Sequence, residues 1–583
     1  MRKRSPDTLF ERYLPYLLSG LLLGLSYPSY PYVRLEVLAW VWMVPLLLAL
    51  KEVRSFRSFL GRVYLATLVV SIFGEAWLLV SHPWGTILLF FVNAVVFTVP
   101  FVAFYCIRQA LSWRVALWSA PVVWSAWDWV YHQSEGSLGW IGLWGSQANL
   151  YWLVQYADLT GVWGITFWLV LFNVLVVMVI EDWQARSHDF SRSSGTATKV
   201  APTRFLARRL AMVSAAMLVF PLAYSASVFI KAASKRGPEI SVLLVQPNIN
   251  PWQKSDRKTR PTSLGKTTAL TSTAIARHKP DLIIWPEGAV PYVLPQEPAA
   301  REFVYRAVSK WQVPLLTGTL DQRTSDNPAE RPPLLSYEGR DSELFNAAVL
   351  LAPEQYRDRQ GAEEKKAGQR FSVKSSEVYH KQVLMPFVEH VPWSERFPVL
   401  SHLALDLGVS SGISAGRQAT VFAFRTPPGA EVRVAAPICY EQLYPATLAE
   451  FVRQGADLLA VITNEGWWSK THGAYQLAAF TRLRAIETRR SIARCANTGL
   501  TCFIDPLGRI YDQAPWWEEQ TVVGQVRLAQ GLSWYVRYPD YFPKACVWLS
   551  LGLAVAVAVQ KVRQALPWRK PHLGEARAWV RRA

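Results

Sequence analysis

Three residues far apart in the chain have the types that covalent acyl chemistry needs. Cys439 lies in Ala435-Ala436-Pro437-Ile438-Cys439-Tyr440-Glu441 at the end of an apolar run, Glu287 follows Trp285-Pro286, and Lys381 follows Tyr379-His380. A thiol attacks as its thiolate, and a free cysteine has a pKa of about 8.5. A carboxylate to take the proton and a cation to favour negative charge are the usual means of activating it. Taken singly, each residue has an ordinary reading: a small core cysteine, a helix cap, a solvated lysine. In combination they outweigh those readings, because each ends a strand-like run or sits in the turn after one, where layered α/β folds present catalytic groups.

The elements that must position this trio are legible between about Glu239 and Gln530. Ile240–Gln246, Leu282–Trp285, Pro314–Thr319, Ala347–Leu351, Val432–Ile438, Leu458–Thr463, Ser491–Ala496 and Thr501–Asp505 read as strands. Thr262–His278, Glu302–Trp311, Pro445–Gln454 and Ala474–Thr488 read as helices. Such alternation predicts a layered α/β unit. The polar stretch 354–374 reads as a surface insertion.

The rest of the chain is of another kind. Of 583 residues 51% are hydrophobic and 27 are tryptophan, and the apolar residues concentrate before position 230 and again between Ala545 and Val559. Hydrophobic segments at Leu14–Tyr27, Leu38–Leu50, Leu60–Val80, Ile87–Tyr105, Val115–Val130, Trp163–Ile180, Ala211–Ile230 and Ala545–Val559 predict eight spans of a bilayer, the shorter ones completed by flanking residues such as Tyr30 and Trp548. The first span reads as retained rather than cleaved as a signal peptide. Residues 1–235 are thus expected to form a transmembrane domain with seven spans, 236–535 a catalytic domain, and 536–583 a last span with a basic tail.

The net charge of +19 is a topology signal rather than a nucleic-acid footprint. Arg2, Lys3 and Arg4, then Lys51, Arg54, Arg57 and Arg62, Arg108 and Arg114, Arg186 to Arg209, and the tail from Lys561 to Arg582 all fall on loops of one parity, while 131–160 holds no Lys or Arg. By the positive-inside rule both termini are cytoplasmic and the α/β unit faces outward. The lysine-free loop carries Trp140 among glycines and aromatics, and Trp467-Trp468 follows Thr463-Asn464-Glu465-Gly466; both suit an interface with lipid or plain packing. Five cysteines are too few for a disulfide framework. Cys495 and Cys502 would lie opposite each other across a turn at Thr498-Gly499, as packed thiols or, in an oxidising compartment, as a disulfide. His380, His390 and His472 lack ligand spacing and no nucleotide loop is present, so neither metal nor cofactor is expected.

At this point the chain resembles the carbon-nitrogen hydrolase (nitrilase) superfamily and, within it, the apolipoprotein N-acyltransferases. The matching pieces are Val245-Gln246-Pro247-Asn248-Ile249, Ile284-Trp285-Pro286-Glu287, Tyr379 to Pro392 with Lys381 and Glu389, Ile438-Cys439-Tyr440-Glu441, Thr463-Asn464-Glu465-Gly466-Trp467, and Arg482-Leu483-Arg484-Ala485-Ile486-Glu487. The resemblance implies a polytopic helical membrane domain carrying an external α-β-β-α sandwich. It also implies a two-step reaction: Cys439, deprotonated by Glu287, takes an acyl chain from a phospholipid donor as a thioester, and the α-amine of a diacylated apolipoprotein removes it. Lys381 and a backbone N–H would stabilise the oxyanion. Glu389 and Glu441 would fix Lys381 and the base, Tyr440 and Trp467 would line the substrate pocket, and Trp285 and Trp140 would support or bind. Trp252 would stand for a tryptophan on a mobile arm. Val388 replaces a usual glycine, Glu465 a commoner aspartate, and 354–374 is long for the family.

A monomer in the bacterial inner membrane, with the catalytic domain periplasmic, is the expectation. Acyl burial in lipid contributes about 0.8 kcal/mol per methylene, so both substrates stay in the bilayer and the nucleophile must come to its surface. A membrane-tethered amidase or nitrilase that gives its thioester to water is the alternative, and an inactive scaffold, against which the intact trio argues, is a third.

Overall fold

The computed structural model describes residues 9–29, 33–193, 200–234, 237–254, 258–294, 296–324, 336–337, 340–353, 378–394, 396–397, 399–400, 413–426 and 429–565. Arg2, Lys3, Arg4, Tyr30, Lys199, the 354–374 stretch and the tail basic residues from Arg569 onward lie outside them.

In chain order the strands are β1 Glu239–Gln246, β2 Leu282–Ile284, β3 Leu315–Thr324, β4 Ser336–Tyr337, β5 Arg340–Leu351, β6 Val378–His380, β7 Val421–Arg425, β8 Glu431–Ala435, β9 Leu458–Thr463, β10 Ser491–Ala496, β11 Cys502–Ile504, β12 Ile510–Tyr511 and β13 Gln520–Arg527. They form two sheets. One runs β13-β1-β2-β3-β5-β4 with β6 also on β5; the other runs β12-β11-β10-β9-β8-β7. In β1 alternate residues serve two cores, as the strand period of two requires. Val242 and Leu244 pack with Leu459, Val461 and Ile492 of the second sheet, while Leu243 and Val245 pack beneath helices Arg260–Arg277 and Pro298–Trp311 through Leu264, Val304 and Val308. Strands β9 and β10 are buried at every position, because both faces are covered; this is why they read as continuous apolar runs.

All eight predicted strands are present, with ends shifted by up to seven residues, most at the start of β5. The ones not foreseen are β4, β6, β7, β12 and β13. They are short or half-exposed: β7 alternates between covered and exposed positions along Val421–Arg425, and Gln520–Arg527 offers β1 a partner of mixed polarity. The predicted helices occur at Arg260–Arg277, Pro298–Trp311, Pro445–Arg453 and Gly473–Thr488.

Five described helices are long and apolar enough to cross a membrane: Phe56–Val80, Pro83–Ala110, Val162–Ser187, Phe205–Ala233 and Tyr541–Ala565. The segment expected as a span at Leu38–Leu50 is instead a 3₁₀ turn, Glu36–Trp40, followed by an eight-residue helix, Met43–Leu50. Trp42 and Met43 are fully packed there, and the Met43 N–H donates to Asn173 Oδ1 at 2.9 Å. This segment is therefore held by the bundle, too short at about 1.5 Å per residue to span by itself. Large apolar side chains on the long helices, among them Leu88, Val95, Val219, Ile230, Trp548 and Val555, are exposed, as lipid-facing positions are.

The helical part and the α/β part share one core. Trp77, Trp140, Trp144 and Trp163 pack with Tyr440, Leu443, Trp468, Leu477 and Phe480 of the α/β part. Polar bonds cross the same seam: Val162 N–H to Glu487 Oε1 (2.8 Å), Arg482 Nη1 to Asn149 Oδ1 (3.0 Å) and Arg489 Nη2 to Asp158 Oδ2 (2.7 Å).

Cys495 and Cys502 are free thiols. The expected facing of the two is corrected by the register, which pairs Arg494, not Cys495, with Cys502. One residue of offset turns Cys495 to the other face, where its thiol meets the carbonyls of Val245 and Ile284, each at 3.3 Å.

Candidate active site

Glu287, Lys381 and Cys439 converge, and the local chain explains how. Glu287 sits in the turn after β2, whose N–H and C=O groups are held on both sides by β1 and β3. Gly318 of β3 runs directly beneath this turn: a Cβ there would stand 2.5 Å from Gly288 N and 2.8 Å from Glu287 Cα. Only glycine lets the two backbones approach so closely. Lys381 follows β6, with its N–H on Asn346 O at 2.9 Å and its carbonyl accepting from Gly416 N at 2.7 Å.

Cys439 opens the 3₁₀ segment Cys439–Leu443 with φ at +50°. For a residue with a side chain this left-handed conformation costs on the order of 1–3 kcal/mol and persists only where its surroundings impose it. Glu441 does much of that. Its carboxylate reaches back to Ile438 N (2.7 Å) and takes Tyr379 OH (2.6 Å), Gln382 N (2.7 Å) and Val383 N (3.2 Å). One buried carboxylate thus ties the cysteine turn to the backbone flanking Lys381.

The buried Lys381 ammonium lies 2.8 Å from Glu389 Oε2 and 3.8 Å from Glu287 Oε1. Asn346 Nδ2 bridges the two acids, 2.8 Å from Glu287 Oε1 and 3.1 Å from Glu389 Oε1. Glu389 is folded back onto the lysine by the turn 385–390, in which Met385 N donates to its Oε2 at 2.9 Å and Phe387 takes φ +64°. Burial opposes the charge on Lys381, but Glu389, then Glu287 and the thiol, more than offset it and hold the ammonium well above the ordinary lysine value.

The thiol is in the opposite condition. Burial first, and then the Glu287 carboxylate, push Cys439 up to about 12, against the smaller lowering by Lys381 and by the Thr463 hydroxyl. The resting nucleophile is thus protonated at neutral pH and must lose its proton as it attacks. Because the thiolate fraction then grows about tenfold per pH unit well below the pKa, alkylation of Cys439 by iodoacetamide should rise with unit logarithmic slope between pH 7 and 9. A plateau in that range would contradict the protonated resting state.

The remaining expected residues take different places. Tyr440 is buried, its OH donating to Ser137 O at 2.8 Å, so its side chain docks the α/β part onto the membrane loop. Trp140 donates to Gln476 Oε1 at 2.7 Å and packs on Trp77 and Trp468, with centroids 4.7 and 5.1 Å away; it forms an aromatic floor beneath the 466–468 turn. Trp467 is partly exposed and meets the half-exposed Trp252 edge to face at 4.9 Å. Trp285 points away from the trio, fully buried between Thr271 and Trp311. Among the described residues no group of three or more His, Cys, Asp and Glu side chains is placed to hold a metal ion.

Residues 242–535 match the carbon-nitrogen hydrolase family, and residues 19–175 match the apolipoprotein N-acyltransferase N-terminal domain. The apolipoprotein N-acyltransferase of Chlorobaculum tepidum is 38% identical over 94% of this chain and 97% of its own length. The chain belongs to the apolipoprotein N-acyltransferase family. A family member from Geobacter metallireducens is 28% identical over 97% of this chain and 99% of its own length, and one from Thermotoga maritima 28% identical over 94% and 93%. Likeness to the family thus runs through membrane helices and α/β part alike.

Sequence reading did not find Asn346, Gln442, Thr463 or Gln476 at this site. Asn346 gave a signal, a lone amide inside the apolar run of β5, since a buried amide requires partners. The others lie in helical or strand-end positions whose neighbours only the tertiary fold reveals.

Proposed function

We propose that this protein is a membrane-embedded N-acyltransferase that moves an acyl chain from a phospholipid, through a thioester on Cys439, to the α-amine of the diacylglyceryl-cysteine that begins a lipoprotein. The observation that carries this reading is a thiol, a carboxylate and a buried ammonium converging on a turn that shares its core with membrane helices. The names borne by the relatives support the same chemistry.

Glu287 accepts the thiol proton as Sγ attacks the ester carbonyl. The C–S bond forms, and the oxyanion lies toward Lys381 Nζ and the Tyr440 N–H. The C–O bond then breaks, and the lysophospholipid oxygen leaves with the proton from Glu287. In the second half the amine attacks the thioester carbonyl, C–N forms and C–S breaks. Glu287 takes the surplus amine proton and returns it to the departing thiolate. Glu389 carries no proton in this scheme; it holds Lys381 charged and in place.

Residues 1–235 form the membrane domain, 236–535 the catalytic domain with the layers of an α-β-β-α sandwich, and 536–583 the last span and tail. Counting Leu9–Gly24, Met43–Leu50 and Trp113–His132 with the five long helices gives eight crossings or part-crossings. The orientation is supported by position: Arg108 on the carbonyls of Leu50 and Lys51 (each 2.8 Å) and Lys51 on Glu181 (2.8 Å) gather at one end of the bundle, and Ser81, Ser137 and Trp140 meet the catalytic domain at the other. The basic end is cytoplasmic and the catalytic domain periplasmic in a bacterial inner membrane. One chain supplies the trio, which fits a monomer.

Intact-protein mass spectrometry after incubation with a defined phospholipid tests the proposal. The expected result is one acyl adduct that disappears when a diacylated lipopeptide is added, with the acyl group recovered on the peptide amine. An adduct that passes to water while the peptide stays unmodified would replace this reading with the hydrolase.

A further inference from the structure

Gln442, three residues beyond the nucleophile, is fully buried and is bonded at both ends of its amide. Its Oε1 accepts from Arg494 Nε at 3.2 Å and from the Thr481 hydroxyl, and its Nε2 donates to Cys439 O at 2.7 Å. The amide has only one orientation available, because the arginine offers donors alone and so must face the oxygen. Arg494 is itself fixed: it is buried, pairs with Glu465, and donates to Leu500 O at 2.6 Å. Thr481 is held by the backbone of helix Gly473–Thr488.

The carbonyl that Gln442 grips belongs to the same peptide as the Tyr440 N–H. In a planar trans peptide C=O and N–H point in opposite directions, so fixing one fixes the other. The Tyr440 N–H precedes the first helical bond of the 3₁₀ segment, Glu441 N to Ile438 O, and helix-initial N–H groups have no partner within their own helix. We infer that Gln442 is a positioning residue for acyl transfer, which, braced by Arg494 and Thr481, holds the Cys439–Tyr440 peptide so that its N–H is presented to the oxyanion. This rests on the proposed thioester reaction and adds a residue that does not itself touch substrate.

The distinguishing measurement compares two reactions of the same sulfur. Acylation by phospholipid passes through an oxyanion; alkylation by iodoacetamide does not. Single-turnover acylation of Gln442→Leu, followed by intact mass, should be slowed by about 10², with iodoacetamide labelling of Cys439 in the same sample within about twofold of wild type. Unchanged acylation, or equal losses in both reactions, would overturn the inference. Should Gln442→Leu not fold, Thr481→Val keeps the glutamine and removes one brace; a few-fold loss confined to acylation is expected, and no loss or a loss in both reactions counts against it. If wild-type protein forms no adduct, it is the thioester reading that fails; if wild type and Gln442→Leu form it equally fast, only the role of Gln442 does.

Discussion

Cys439→Ala is expected to eliminate both the acyl adduct and N-acylated lipopeptide, leaving no residual turnover above the uncatalysed background. No other thiol can stand in. Cys495 and Cys502 are buried inside the α/β core, and burial pushes each up to about 12. Cys106 and Cys546 lie on the helices Pro83–Ala110 and Tyr541–Ala565, away from Glu287 and Lys381. The fold should persist, because alanine meets the same backbone requirement at φ +50° and the change removes one sulfur from a half-buried residue; a stability change of about 1 kcal/mol is expected. Thermal unfolding in detergent and intact mass on the same preparation make the check. Acyl transfer surviving in a folded Cys439→Ala protein would rule out the thioester route.

What the sequence disclosed followed from how strongly each feature is encoded locally. Cys439 and Glu287 could be picked out because each follows a strand whose apolar run is visible, as in Leu282–Ile284 before Trp285-Pro286-Glu287, whereas Lys381 follows the unforeseen three-residue β6 and stood out only through the motif Tyr379 to Pro392. The long helices were legible for the same reason as Cys439 and Glu287, since a stretch of about eighteen mostly apolar residues nearly free of charge leaves few alternatives. Leu38–Leu50 reads as one continuous span, while the chain breaks it into a 3₁₀ turn and a short packed helix, because hydropathy does not distinguish a helix held in a bundle from one that faces lipid; the bond from Met43 N to Asn173 Oδ1 is a tertiary fact. The Cys495 register failed in a similar way. Asn497, whose amide serves Ile249 O and Asn464 Oδ1, and Leu500, whose N–H serves Glu465, widen the turn beyond the two residues that its Thr-Gly dipeptide suggests.

Trp285 and Tyr440 make a related point about motifs. Both sit beside members of the proposed trio in the chain, yet their side chains pack in different cores, one under the helices of the α/β part and one in the membrane seam. Packed there, the two rings anchor the turns that carry Glu287 and Cys439. The same logic accounts for Glu465, one methylene longer in reach than aspartate: it meets Arg494, and through Arg494 the Gln442 amide.

Lys381→Met should be the most damaging change that leaves the nucleophile intact. Three effects act together. The oxyanion loses its cation, a loss of about 10²–10³ in rate for a single donor. The thiol loses the charge that opposes burial and Glu287, so its pKa rises further and labelling by iodoacetamide slows. Glu389, buried and bonded to the lysine by both oxygens, is left as an unpaired charge, which costs on the order of 3–5 kcal/mol of stability. Removing the second charge as well separates chemistry from folding. A protein with Lys381→Met and Glu389→Leu together should recover most of the lost thermal stability, because replacing a buried ion pair by apolar groups is often neutral. Its acylation should remain at the level of the single variant, because nothing replaces the cation. Recovery of acyl transfer along with stability would make Lys381 a structural partner of Glu389 and leave the oxyanion to the backbone alone.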